Sequence, residues 1–276
     1  MTSTRMSILK NFKVNIGPGK LLQEDFNKRG YIHPSRLALL HQYARLAGLR
    51  ASLANHHDVF FKNSTLYIRH QTAHVNTNLT SALSSQPIHA DFTVTYLGSS
   101  SLLCNTRLIL ENEQQCYSTC TAQCIGVDKQ TRKPAAFDET VRNIYAYAVN
   151  GKRPVLSPLL ETPQSTGQVI YNKKIIIREE HVDSNGHTNN AAYMKLCDTV
   201  FSSAITDGIL CQEFLESPLR DYTIQYLGES VKGDEICFDM WQDSQNKYLI
   251  HFEAKKSDSI VIRSQFHLDN KLMSSL

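Results

Sequence analysis

The sequence is poor in the features that would settle its class at a glance. It holds one tryptophan, 12 glycines and 8 prolines in 276 residues, too little Gly and Pro for a fibrous or low-complexity chain. No stretch approaches the roughly 18 consecutive apolar residues of a membrane span, so stable insertion into a bilayer is not expected. Lys/Arg blocks are missing as well. The formal charge of +3 comes from 29 basic and 26 acidic residues spread along the chain, which points to neither nucleic acid nor a membrane surface and leaves small acidic ligands such as phosphates open. The amino terminus lacks the apolar core of a signal peptide, and seven cysteines are an odd count for a secreted disulfide framework. A soluble, cytoplasmic protein is therefore expected. Arg5, Lys10, Lys13 and Lys20, with no acid before Glu24, leave a mitochondrial or other organelle matrix as the alternative.

Two clusters invite a metal, and neither pattern sustains one. Cys116, Cys120 and Cys124 of "CYSTCTAQC" share one parity with Ser118 and Ala122, so on a strand they line a single core-facing side, too far apart for one tetrahedral ion. His56, His57 and Asp58 of "NHHD" lack a further spaced ligand and read as a solvated loop. No metal and no organic cofactor are expected.

What is present is repetition. "DFTVTYLGSS" from Asp91 and "DYTIQYLGES" from Asp221 agree at six of ten positions, and both alternate like strands before a glycine. Upstream of each lies a glycine-bearing turn leading into a helical pattern. Leu37, Leu40, Ala44 and Ala47 recur at helical spacing behind Pro34 in the first; Met194, Cys197, Val200, Phe201, Ala204 and Ile205 do so in the second, with Asn189 or Asn190 available as N-cap. Residues 149–168, rich in Pro, Gly, Ser and Thr, read as a connector. The expected organisation is two domains, 1–148 and 169–276, joined by a linker at 149–168.

Residues 181–194, "HVDSNGHTNNAAYM", carry the specific signal. Asp183, His187, Asn189, Asn190 and Tyr193 match the Asp, polar turn, His-x-Asn-Asn and following Tyr of hotdog-fold thioesterases. With Asn185, with Tyr226 and Glu229 of "YLGESVKGDEI", and with the two-repeat arrangement, the chain resembles the acyl-(acyl carrier protein) thioesterases of plants and bacteria. "GVDKQTRKPAAFDETVRN" (126–143) resembles the stretch after the last long strand of such a domain. The resemblance implies an α+β fold of tandem hotdogs, each an antiparallel sheet wrapped around a central helix. It also implies hydrolysis of fatty acyl thioesters of a carrier protein or CoA. Two hotdog units in one chain can satisfy each other's exposed sheet edges, so a monomer or a homodimer is expected.

Thioester hydrolysis needs a nucleophile at the carbonyl carbon and stabilisation of the resulting oxyanion. The resemblance implies Asp183, Asn185, His187 and Glu229 as the working set. His187 is suited to moving a proton near neutral pH, Glu229 to activating water or attacking directly, and Asp183 and Asn185 to orienting His187 and holding the thioester or the water. The helix mouth near Gly186 offers peptide N–H groups to the carbonyl oxygen, and Asn189, Asn190, Tyr193 and Ser230 complete the substrate-binding set. Ser230 stands where the family has Cys, so no thiol is essential here.

The first half serves as an internal control. Aligned by the repeat, Tyr31 stands opposite His187 and Ser99 opposite Glu229, so one active site is expected, in the second half. Asp25 and Asn27 take the places of Asp183 and Asn185 in a turn two residues longer, read as structural together with His33. Two other classes remain: a non-catalytic acyl-thioester-binding protein, and an enoyl-thioester hydratase or dehydratase, which the four-residue step from Asp183 to His187 disfavours.

Overall fold

The computed structural model describes residues 12–15, 23–53, 63–77, 88–110, 115–149, 160, 167–183 and 185–269. His56, His57 and Asp58 lie outside them, as does most of the connector. Two long helices carry the core: α1 (Pro34–Leu53) and α4 (Asn190–Thr206). Short helices α2 (Glu139–Ile144) and α3 (Ala146–Val149) follow the first set of strands, and α5 (Glu213–Glu216) follows α4. The strands are β1 (Phe12–Asn15), β2 (Ser64–Val75), β3 (Ile88–Leu97), β4 (Ser101–Leu110), β5 (Cys116–Asp128), β6 (Val169–Ile176), β7 (Leu219–Tyr226), β8 (Glu235–Gln242), β9 (Leu249–Lys256) and β10 (Ser259–Leu268).

Each long helix buries one stripe. Leu37, Leu40, Ala44 and Leu49 on α1, and Met194, Cys197, Val200, Phe201, Ala204 and Ile205 on α4, are all buried, as the helical spacing demands. Gly48 lets α1 approach the sheet closely, because a Cβ there would lie 2.1 Å from the Phe92 ring. On β5, Cys120 and Cys124 point into the core beside Cys104, with Cys116 half-buried at the strand's start.

The strands join in one antiparallel sheet of order β1-β3-β4-β5-β2-β7-β10-β9-β8-β6. From either edge inward, each half reads first, third, fourth, fifth, second strand. The halves meet where β2 pairs with β7, Thr72 lying opposite Thr223. The tandem hotdog expected from the sequence is the architecture observed.

This order corrects the strand assignment within the repeat. "DFTVTYLGSS" is β3, which turns into β4 with the Gly98 N–H donating to Ser101 O at 2.8 Å. "DYTIQYLGES" is β7, whose counterpart by position is β2, and beyond it the N–H groups of Leu227 and Gly228 go to Val261 O on β10. The two segments look alike because both alternate aromatic and β-branched residues against a central helix, a requirement of any core strand. Ser99 is therefore not the counterpart of Glu229.

Leu160, inside the stretch read as a connector, packs against β7 and β10. Leu160 is buried there; its N–H donates to Gln225 Oε1 at 3.1 Å and its carbonyl accepts from Arg263 Nη1 at 3.3 Å.

Candidate active site

The turn ahead of α4 is shaped by its own hydrogen bonds. The Asp183 N–H donates to His187 O and the Gly186 N–H to Asp183 O, both at 2.9 Å, while Asp183 Oδ1 accepts the Asn185 N–H at 2.8 Å. Gly186 closes the turn at φ +77°, in the left-handed region that favours glycine. A Cβ on Gly186 would meet no protein atom within 4 Å, so within the protein it is the backbone conformation that calls for glycine.

The first half builds the same turn. The Asn27 N–H donates to Tyr31 O at 2.8 Å, the Gly30 N–H to Asn27 O at 2.9 Å, Asn27 Oδ1 accepts the Arg29 N–H at 3.0 Å, and Gly30 has φ +81°. The two turns have equal length. Asn27 is thus the counterpart of Asp183, and Arg29 that of Asn185, correcting the match to Asp25 and Asn27. Tyr31 stands where the second half has His187.

Glu229 reaches the turn because its neighbour is stitched to it. The Thr188 N–H donates to Ser230 O at 2.8 Å, and the Ser230 hydroxyl is held by Thr188 Oγ1 at 2.6 Å and Tyr193 Oη at 2.7 Å. This ties residue 230 beside 188 and brings Glu229 Oε2 to 3.4 Å from His187 Nε2. Ser230 is buried with its hydroxyl fully engaged, so it locks the site's backbone and does not face the cavity. In the first half Ile32 and Leu37 stand at the positions of Thr188 and Tyr193, both buried.

Glu229 and His187 open on a cavity of about 290 Å³ between the halves. The first half contributes Leu66, Ile68, Ile125, Val127 and Pro134 as apolar wall, and the second contributes Asp183, Asn185, Asn190, Tyr193 and Tyr226. Asp183 and Asn185 face each other, Asn185 Nδ2 lying 3.5 Å from Asp183 Oδ2. Neither is hydrogen-bonded to the His187 ring among the described residues, and the buried Nδ1 of that ring has no hydrogen-bond partner among them. Asn189 caps α4 by accepting the Ala191 N–H at 2.8 Å, and the Asn190 carbonyl accepts from Tyr226 Oη at 3.2 Å. The Gly186 N–H, expected to meet substrate, is committed to Asp183 O.

Two residues the sequence reading did not single out, Arg132 and Tyr67, complete the cavity. Arg132 Nη2 donates to Glu229 Oε2 at 2.6 Å and lies 3.3 Å from His187 Nε2, while its Nη1 donates to Tyr67 Oη at 2.6 Å. A guanidinium donor at Nε2 requires that nitrogen to accept, which leaves the ring proton of neutral His187 on Nδ1. The Arg132 guanidinium sits 5.3 Å from the centre of the Tyr67 ring, and that ring meets His187 edge-on at 6.3 Å. Burial pushes the Tyr67 phenol up, and the Glu229 charge adds to the effect.

Arg132 adopts φ +60° in the turn after β5, where Asp128 Oδ1 accepts the N–H groups of Gln130 and Thr131 at 3.1 and 2.7 Å. The Thr131 N–H, first of these, holds the Asp128 carboxyl below its usual range. Arg132 and Ser257 are the non-glycine residues with positive φ among the described residues, a conformation uncommon outside glycine and visible only in the folded chain. The side chains of Arg132 and Glu229 are 42% and 46% exposed, so their ion pair contributes at most about 1 kcal/mol and yields readily to a competing ligand.

No family model matches the chain, and no curated protein matches it in sequence. Solved structures do match in shape. The acyl-ACP thioesterase of Bacteroides thetaiotaomicron is 17% identical, with a TM-score of 0.69 over 95% of this chain and 98% of that one. The chain has the tandem hotdog fold. The 12:0-ACP thioesterase of Umbellularia californica agrees with a TM-score of 0.73 at 13% identity, over 95% of this tandem hotdog and 97% of that chain.

Proposed function

We propose that this tandem hotdog hydrolyses acyl thioesters, releasing a fatty acid and a thiol. One observation carries the reading: a carboxylate and an imidazole 3.4 Å apart face a single cavity with apolar walls. That pairing supplies a base for water and a proton carrier beside room for an apolar acyl chain. Residues 169–276 then form the catalytic unit, residues 1–148 a repeat without catalysis of its own, and 149–168 the linker.

In this reading Glu229 takes a proton from water as the water oxygen bonds to the carbonyl carbon. The carbonyl π electrons move onto oxygen, then return as the C–S bond breaks, and His187 passes the proton to the departing sulfur. Water and thioester become acid and thiol, with no metal or organic cofactor needed. Asp183 and Asn185 hold the turn that presents His187, and Asn189, Tyr193 and Ser230 fix the helix mouth. The apolar side chains at the cavity support an acyl substrate, delivered on the phosphopantetheine arm of a carrier protein or CoA.

The test is thiol release from saturated acyl-CoAs and acyl-carrier proteins of several chain lengths. Turnover by the wild type that is lost in Glu229→Gln supports the reading. Acyl ligands bound without turnover would replace it with an acyl-binding protein.

A further inference from the structure

Resting on the thioesterase reading, we propose that Arg132, supplied by the opposite half of the chain, holds the carbonyl oxygen of the thioester as it becomes negative. Hydrolysis needs preorganised donors where that charge develops. The helix mouth has already spent several of its own: the N–H groups of Gly186, Thr188, Asn189 and Ala191 go to Asp183 O, Ser230 O, His181 O and Asn189 Oδ1.

The guanidinium has five N–H donors. Its contacts use Nη1 for Tyr67 and Nη2 for Glu229 and His187. Nε–H and a second Nη1–H carry no partner among the described residues, on the same planar group that touches both reacting side chains. The bonds to Tyr67 and Glu229, with the Tyr67 ring beneath, aim the guanidinium at the cavity.

Charge and placement also separate this role from phosphate binding. The phosphate of a phosphopantetheine arm lies the length of that arm from the sulfur, so a guanidinium touching Glu229 and His187 meets the thioester end. As water adds, the new O⁻ accepts from Arg132, and the proton removed from water rests on Glu229. When the C–S bond breaks, the oxygen regains its double bond and releases the guanidinium. No charge is left over: the acid forms, and the thiolate takes the proton through His187.

The experiment compares the wild type, Arg132→Gln, Arg132→Lys and Glu229→Gln in the thiol-release assay, with kcat and KM measured separately and folding checked by thermal melting. Arg132→Gln is expected to lose about 10²- to 10³-fold in kcat with KM little changed. Arg132→Lys should retain more, and added guanidinium ion should restore part of the Arg132→Gln rate while leaving Glu229→Gln inactive. Wild-type turnover abolished by Glu229→Gln but unchanged by Arg132→Gln would overturn this proposal alone. A rise in KM with kcat intact would also overturn it, making Arg132 an anchor for the bound ground state. Absence of wild-type turnover would overturn both readings.

Discussion

The turn at Asn27–Tyr31 and the turn at Asp183–His187 share their backbone hydrogen bonds and their left-handed glycine, yet they carry different side chains. Asn replaces Asp, Arg replaces Asn and Tyr replaces His. The fold therefore requires the turn and not the ionisable groups, which separates architecture from chemistry within one molecule. Behind the turn the difference runs on. The second half secures its helix mouth with the polar triangle of Thr188, Tyr193 and Ser230, whereas the first places Ile32 and Leu37 at the corresponding positions.

The widest gap should appear in turnover. His187→Ala and Glu229→Gln are each expected to lower the rate of thiol release by about 10²- to 10⁴-fold, the range of a lost general acid or base, while Tyr31→Ala changes it by less than about twofold. An equal loss in Tyr31→Ala would break the division of labour.

Acid should separate the halves next. His41 is buried on α1, bonded to Thr106 and Ser118, and burial, aided by Arg45, lowers its pKa from 6.5 to about 3. Its counterpart on α4 is Cys197, whose thiol burial pushes up. The folded chain refuses the proton that the unfolded chain accepts at His41. Its contribution is complete above pH 6.5 and is lost as pH falls toward 3, by an amount on the order of a few kcal/mol. Denaturant melts from pH 7 to pH 4 should show the decline, His41→Gln should flatten it, and hydrogen exchange should locate the early opening in the first half.

Smaller effects sharpen the comparison. Ser230→Ala removes the hydroxyl that Tyr193 Oη meets, while Thr188 Oγ1 keeps Ser230 O as acceptor, and is expected to cost about 1–3 kcal/mol by denaturant melting, with the first half's exchange rates unchanged. Gly30→Ala and Gly186→Ala should each cost about 1–2 kcal/mol, the penalty of a left-handed alanine. Only Gly186→Ala should also slow turnover. If both slowed it alike, the two turns would be functionally coupled.

Much of this was legible before folding. Helical spacing identified the buried stripe of α4 residue by residue, and period-two alternation identified β3 and β7, because periodicity is imposed locally by the core face. The residues around His187 were legible too, through the resemblance of their pattern. Which strand corresponds to which was not, since every strand against a central helix meets the same demand and similar segments arise at different places in the sheet. Arg132 was hidden for another reason: its importance lies in a left-handed turn and in contacts across the seam with Glu229 and His187, and no spacing in the chain encodes these.

The seam at β2 and β7 has a further consequence. When two identical polypeptides associate about a two-fold axis, every substitution appears at both symmetry-related places. A single chain with Thr72 facing Thr223 across that axis escapes the constraint. A change at Tyr31 leaves His187 untouched, and a side chain from one repeat can specialise in serving the other. The peptide linkage between the repeats thus converts a symmetric scaffold into one whose two ends can diverge independently.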